Sequence, residues 1–423
     1  MVRKCFFYSL QCHERTQALS NGFAACASDC LLFISLSELR PFGRVQWRAW
    51  VTHFQSSDNS LTVLVVASLP PPVHGQALMN DFFIRSLCEI AQVVTVNTSP
   101  RSLKRSVVYH LRRLSKNLEA LGRLLIGRSR FDCVYLSVDS GLGLLYNLAL
   151  VGAARLCGRP VWLHHHSYSY IVRKSSLMEW ITRVGGDKLT HILLCDLMAR
   201  EFLTLYPSQN RSQICSNAVL PSEMIMSQRS RREGPFRLGL LSNLCYEKGL
   251  YTFVKVVERL VSEGVDVEGI LAGPVPSELD RRFVEDMQRA LAGRLRYVGA
   301  VYADSKREFF FGLDAFVFPT EYPTESYGLV VLEALRAGVP VISFGRGCIP
   351  QMLEEPSGFI VPIGGDFVVG AAEQVKRWIA CPEVHQAART HASDRAGRLA
   401  ASAESELCSI LDQIGGSAVA QGA

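Results

Sequence analysis

No run in this chain reaches the roughly 18 clean apolar residues that cross a bilayer; the apolar stretch Gly141 to Ala154 is too short and is broken by glycine. The first residues, Met1 to Leu10, lack the long apolar core and the small-residue cleavage site of a secretory signal. Charge of one sign is scarce too. With 45 Lys and Arg against 39 Asp and Glu, the net charge is only +6, which by itself gives no argument for a nucleic-acid partner. The 13 cysteines form no Cys-x-x-Cys pair and no Cys/His cluster with zinc spacing. Only Cys26 and Cys30 lie close together. The others read as free thiols that pack as small hydrophobes, in a reducing cytoplasm. The stretch Leu69 to Asn80 lacks the Gly-x-Gly-x-x-Gly of a dinucleotide-binding oxidoreductase. No suitable loop carries Asp-x-Asp, so neither an essential metal nor a cofactor is expected.

What is present is an ordinary globular balance, 48% apolar and 20% charged, over 423 residues, enough for two sizeable cores. Residues 1–58 stand apart, with four cysteines, two tryptophans and no sustained periodicity. They read as an atypical extension, either disordered or outside the mature protein. From Leu61 strand and helix patterns alternate. Strands are expected at 61–67, 93–97, 132–138, 160–166 and 191–195. After a Pro- and Arg-rich linker over 207–235 they recur at 236–241, 267–272, 295–298, 314–318, 339–343 and 359–361. Such alternation implies an α/β fold of two doubly wound parallel sheets facing across a cleft. The expected domains are 59–220 and 221–380, followed by a C-terminal helix and frayed tail over 381–423.

The stretch from Phe318 to Pro340 is the most informative. A strand ends at Pro319, a polar loop follows, and a helix is expected from about Tyr327 to Ala337, stopped by Gly338 and Pro340. The loop thus lies at the carboxyl end of a parallel strand, where open α/β sheets bind ligands. The amides of Ser326, Tyr327 and Gly328 would suit a phosphate there. Glu325 precedes the helix. Glu333 lies among Val330, Val331, Leu332, Ala334 and Leu335, where a carboxylate is either at a cleft or costly.

The spacing Glu325-x7-Glu333, with Gly328, Gly338 and Pro340 around it, resembles the family 4 (group 1) retaining glycosyltransferases of the GT-B fold. The likeness extends over about residues 62–400. Leu241 to Gly249, with Lys248-Gly249 before a helix, is similar to that family's first loop of the C-terminal domain, and Ala272-Gly273-Pro274 to a later strand end. The resemblance implies a nucleotide diphosphate sugar as donor. Glu333 would meet its ribose, Glu325 the transferred sugar and Lys248 the diphosphate, with Ser326, Tyr327, Gly328 and Gly273 lining the same donor site. Two positions depart from the pattern: Asn243 where the family has Arg, and Gln351 where an acidic residue is common. In the N-terminal domain, His74-Gly75 would form the acceptor and phosphate loop, and His166 of the run His164-His165-His166 would be the polar group beside the transferred sugar. Strand alternation puts His164 and His166 on one face and His165 on the other, which argues against zinc. Asp139 could line the acceptor pocket.

Residues 101–130 hold nine Lys and Arg against Glu119 alone, a local +8 that leaves the rest of the chain at −2. Leucines and valines recur beside them at helical spacing. A basic amphipathic helix of this kind suits an anionic membrane surface, and a solvated helix packed on its sheet is the plainer alternative. The leading expectation is a cytoplasmic, peripherally membrane-bound enzyme building a cell-surface polysaccharide or another glycan or lipid-linked product. The alternatives are a soluble transferase that makes a small glycoside, and a non-catalytic GT-B partner subunit.

Overall fold

The computed structural model describes residues 61–99, 107–221 and 233–419. The extension over 1–58, with Cys26 and Cys30, the basic residues Arg101, Lys104 and Arg105, and residues 222–232 of the expected linker lie outside the described residues. The first sheet runs β1 Thr62–Ala67, β2 Gln92–Asn97, β3 Cys133–Ser137, β4 Val161–His164, β5 Leu189–Leu193 and β6 Arg211–Ile214. Its helices are α1 Gly75–Cys88, α2 Val107–Ile126, α3 Leu144–Leu156, α4 Ser169–Val172, α5 Ser176–Gly185 and α6 Asp196–Leu205. The second sheet runs β7 Phe236–Leu241, β8 Val267–Ala272, β9 Leu295–Tyr297, β10 Ala315–Phe318, β11 Val341–Phe344 and β12 Gly358–Val361. It carries α7 Leu250–Ser262, α8 Glu278–Ala290, α9 Ala303–Phe311, α10 Leu329–Arg336, α11 Ile349–Met352 and α12 Phe367–Ala380, and the chain closes with α13 Pro382–Val419.

Both sheets are wholly parallel, in the orders β2-β1-β3-β4-β5-β6 and β12-β11-β10-β7-β8-β9. Their central strands are continuous apolar runs because helices cover both faces: Val63, Leu64 and Val65 of β1 and Phe316 and Val317 of β10 are fully buried. The strand order reverses between β1 and β3 in the first sheet and between β7 and β10 in the second. Ligands of such sheets sit beyond the carboxyl ends of the strands at those reversals. Both sheets fall within one compact unit.

Three expectations need correction. The stretch 207–235 is not simply a linker: Arg211–Ile214 forms β6, and a short turn follows at Asn217–Val219. With one apolar residue in four and an edge position, β6 carries almost no periodic signal. The C-terminal helix was expected over 381–423 with a tail that frays from Gly415. It is one helix that continues to Val419 and packs against α10, the turn at Asn217–Val219 and β6. Ser216 N donates to Glu406 Oε2 at 3.0 Å, and Gln213 Nε2 to Gln413 Oε1 at 3.1 Å, so α13 belongs to both halves. Finally, Cys195 and Cys348 are joined in a disulfide with their Cα atoms 6.1 Å apart. Each immediately precedes a helix, α6 or α11, after a strand in a different sheet. They are 153 residues apart, so no local spacing could reveal the pair.

Candidate active site

The loops after β7 and β10 leave the reversal point of the second sheet side by side. Glu321 N donates to Glu247 O at 2.9 Å and fastens one to the other. Gly249 takes φ +84°, and a Cβ there would lie 2.3 Å from the carbonyl oxygen of Pro319, so only glycine lets the loops meet. Lys248 Nζ then reaches Glu325 Oε2 at 2.7 Å and sits 4.3 Å from the centre of the Tyr322 ring. Thr320 Oγ1 donates to the same carboxylate oxygen at 3.3 Å. Lys248 and Glu325, far apart in sequence, are thus brought into direct contact.

Helix α10 begins at Leu329, two residues later than the sequence placed it, because Gly328 takes φ +71° and stands outside the helix. The first-turn amides without an intrahelical acceptor are those of Leu329 and Val330. Those of Ser326 and Tyr327 lie before the helix. The Tyr327 side chain also leaves the loop: it is buried, and its hydroxyl lies 2.5 Å from Ser216 Oγ, just past the carboxyl end of β6. Burial pushes that phenol up to about 12. Gly273, at φ +119°, leaves room for the Ser242 carbonyl, which a Cβ would strike at 1.9 Å.

Glu333 points inward. Its Oε1 takes Lys306 Nζ of α9 at 2.5 Å, and its Oε2 is shielded from solvent with no partner among the described residues. Burial raises its carboxyl above the usual range, against the lowering by Lys306 and Arg336. Asn243, at the position where arginine was expected, is exposed. A guanidinium does border the loop after β10: Arg346, after β11, donates from Nε to Thr320 O at 3.1 Å. Among the described residues no carboxylate lies within salt-bridge distance of Arg346. Neither Lys306 nor Arg346 was singled out from sequence, since each comes from a different strand–helix unit and neither sits in a recognisable motif.

Gln351, the second departure, bridges to the first sheet. Its Oε1 accepts from Leu197 N at 3.0 Å and its Nε2 donates to Asp196 Oδ2 at 2.6 Å. A carboxylate at 351 would confront the Asp196 carboxylate there, which explains the neutral side chain.

On the N-terminal side, His74 caps α1 by accepting from Ala77 N at 3.3 Å. A Cβ on Gly75 would lie 2.8 Å from Leu329 Cδ1, so the first turns of α1 and α10 meet across the two sheets. Gln76 Nε2 ties this turn to Ser137 Oγ of β3 at 3.0 Å. His164 and His166 share a face with ring centres 4.2 Å apart, while His165 turns to Tyr170, His191 and Phe202. His166 Nε2 lies 3.1 Å from Asn80 Oδ1, and its Nδ1 is shielded and without a partner among the described residues. Asp139 is held by Arg113 of α2 at 2.6 Å, and burial raises its carboxyl despite that cation.

Residues 235–380 match the family described as Glycosyl transferases group 1. The chain is 22% identical over 216 residues to the gpi3 subunit of phosphatidylinositol N-acetylglucosaminyltransferase of Schizosaccharomyces pombe, covering 50% of this chain and 46% of that protein. It is 24% identical over 228 residues to the 2-deoxystreptamine N-acetyl-D-glucosaminyltransferase of Niallia circulans, 53% of this chain and 50% of that protein. The chain therefore spans about half the length of these relatives. Among solved structures it resembles sucrose-phosphate synthase from Thermosynechococcus elongatus, with TM-score 0.60 at 13% identity over 84% of this chain and 98% of that one. It also resembles Anabaena Alr3699/HepE in complex with UDP and glucose, with TM-score 0.57 at 13% identity over 83% and 99%. The paired six-stranded parallel sheets and these likenesses give the chain the GT-B fold, with residues 235–380 similar to the Glycosyl transferases group 1 family.

Proposed function

We propose that this chain transfers a sugar from a nucleoside diphosphate sugar to a glycan or lipid-linked acceptor, with retention at the anomeric carbon and without an essential metal or cofactor. The observation that carries the reading is the Lys248–Glu325 contact at the reversal point of the second sheet, with Glu333 two turns further on. Lys248, Arg346 and the first-turn amides of α10 would take the diphosphate, whose charge grows as the bond to the sugar breaks. Donor binding would draw Lys248 from Glu325 and free that carboxylate for a sugar hydroxyl. The inward, partnerless Oε2 of Glu333 would accept from the ribose. His166 and the His74-Gly75 turn would border the transferred sugar from the other side. Retention follows from attack on the face the diphosphate leaves, with the leaving phosphate taking the acceptor proton, so no pair of hydrolase-type carboxylates is required.

A lipid-linked acceptor is supported by α2. Its Val107, Leu111, Leu118 and Ile126 are 74%, 60%, 56% and 89% exposed, next to Arg112, Lys116 and Arg123. The plainer alternative, leucines packed on the sheet, holds on this helix only for the inward side around Leu124. Among the described residues no helix is long and apolar enough to cross a membrane, so contact would be peripheral. The relative from Schizosaccharomyces pombe is named for action on phosphatidylinositol, a lipid.

The test is a melting and hydrolysis screen of the purified chain against UDP-, GDP- and ADP-sugars, with Glu333→Ala in parallel. One nucleotide sugar should stabilise the wild type and not the variant. Equal stabilisation of both proteins would remove Glu333 from the donor site, and no stabilisation by any donor would sink the reading.

A further inference from the structure

Two histidine networks are buried on opposite faces of the first sheet, and each is pinned by one asparagine. In the first, Asn210 Nδ2 donates to the carbonyl oxygens of Thr182 and Gly186 at 3.1 and 2.6 Å, so its Oδ1 must accept from His191 Nε2 at 3.2 Å. His191 Nδ1 then accepts from His165 Nε2 at 2.8 Å, and His165 Nδ1 accepts from the Tyr170 hydroxyl at 2.8 Å. Every ring nitrogen is used, and the network is closed.

The second network starts the same way and stays open. Asn80 is fully buried on α1. Its Nδ2 donates to Ser68 O and to Ser137 Oγ, both at 3.0 Å. A carbonyl oxygen can only accept, so the amide cannot be turned over and Oδ1 faces His166 Nε2 at 3.1 Å and the Tyr135 hydroxyl at 3.3 Å. Two lone-pair acceptors cannot face each other at that distance, so Nε2 carries the proton. Among the described residues the Nδ1 lone pair of a neutral His166 is then left shielded and unmatched, as is Nε2 of His164 beside it.

We propose that Asn80 is a positioning residue that fixes His166 as its neutral Nε2–H tautomer, so that Nδ1 is presented as an acceptor for a hydroxyl group of the substrate. The tautomer rests on the apo geometry alone; the hydroxyl partner rests on the glycosyl-transfer reading above. The titratable neighbours that act on the ring, His164, His165 and His74, are all bases, and burial holds His166 down to about 3. With a carboxamide as its partner the ring has no reason to take a second proton.

The experiment is a long-range proton–nitrogen NMR spectrum of the full chain with labelled histidine, titrated from pH 8 to 5, with His166→Gln to assign the signal. His166 should show a protonated Nε2 and a bare Nδ1 throughout. Asn80→Asp keeps the shape and adds a charge beside Nε2–H. It should raise the His166 pKa by about 2 units or more and give kcat an acid limb that the wild type lacks, because a protonated Nδ1 no longer accepts. A purely structural asparagine would lose stability in that variant without a moved titration. A protonated Nδ1 in the wild type, or an unmoved His166 titration in folded Asn80→Asp, overturns the proposal. Because the wild-type spectrum is read without donor, it stands or falls independently of the nucleotide-sugar screen.

Discussion

Gln351 shows what a single atom decides. Its Nε2 donates to Asp196 where a carboxylate oxygen would repel. Gln351→Glu should therefore cost about 1 kcal/mol of stability, and Asp196→Asn in the same chain should restore most of it. Denaturant midpoints of the four proteins in that cycle check the coupling, and additive losses would show that the two side chains act separately. The same scale marks the limit of what the sequence discloses. Glu325, Glu333 and Lys248 were legible because two fall within one loop and helix and the third precedes a Gly-started helix. Lys306 and Arg346 were not, because what brings them to Glu333 and Thr320 is the order of strands rather than any spacing along the chain. Asn243 and Gln351 stood out as departures; the reason for Gln351 lay in a contact 155 residues away.

Among the elements, α2 and the β4–β5 pair carry separate consequences. Helix α2 was readable as basic and amphipathic; that its apolar side stays open follows only from the packing, which takes Asn117, Ala120 and Leu124 inward. Leu111→Ser with Leu118→Ser should leave stability within about 0.5 kcal/mol yet weaken co-sedimentation with phosphatidylserine-rich vesicles. Undiminished binding would move the membrane contact elsewhere. In β4, just past its end and in β5, His164, His165 and His191 are fully buried and held neutral, with His191 lowered to about 4. The unfolded chain binds protons on these groups below about 6.5 and the folded chain does not, so stability is complete above that pH and falls as pH drops towards 4. Each such histidine contributes up to about 1.4 kcal/mol per pH unit. Melting temperature against pH should show a loss between 6.5 and 4.5 steeper than one group allows; a flat profile would mean the rings are protonated in place. Strands with long apolar runs were located within a residue or two from sequence. β6 was not, since Arg211, Ser212 and Gln213 give an edge strand nothing to bury.

For the whole molecule, the Cys195–Cys348 bond joins the end of one sheet to the end of the other. A cross-link closing so long a loop stabilises by about 2–4 kcal/mol. Reduction with dithiothreitol, or Cys195→Ser, should lower the melting temperature, and the effect of the reductant should vanish in the variant. An unchanged melt in both would show that the bond constrains nothing the fold does not already hold. The two-sheet architecture was plain from the alternation of strands and helices, whereas this bond and the reach of α13 were not, because both join residues that only the finished fold makes neighbours.

That reach has a consequence for the order in which the protein is made. Ser216 and Gln213 at the edge of the first sheet take their partners from residues synthesised 190 and 200 positions later. The first half emerges from the ribosome with that edge bare and must wait, through translation of the entire second half, for α13 to arrive and cover it.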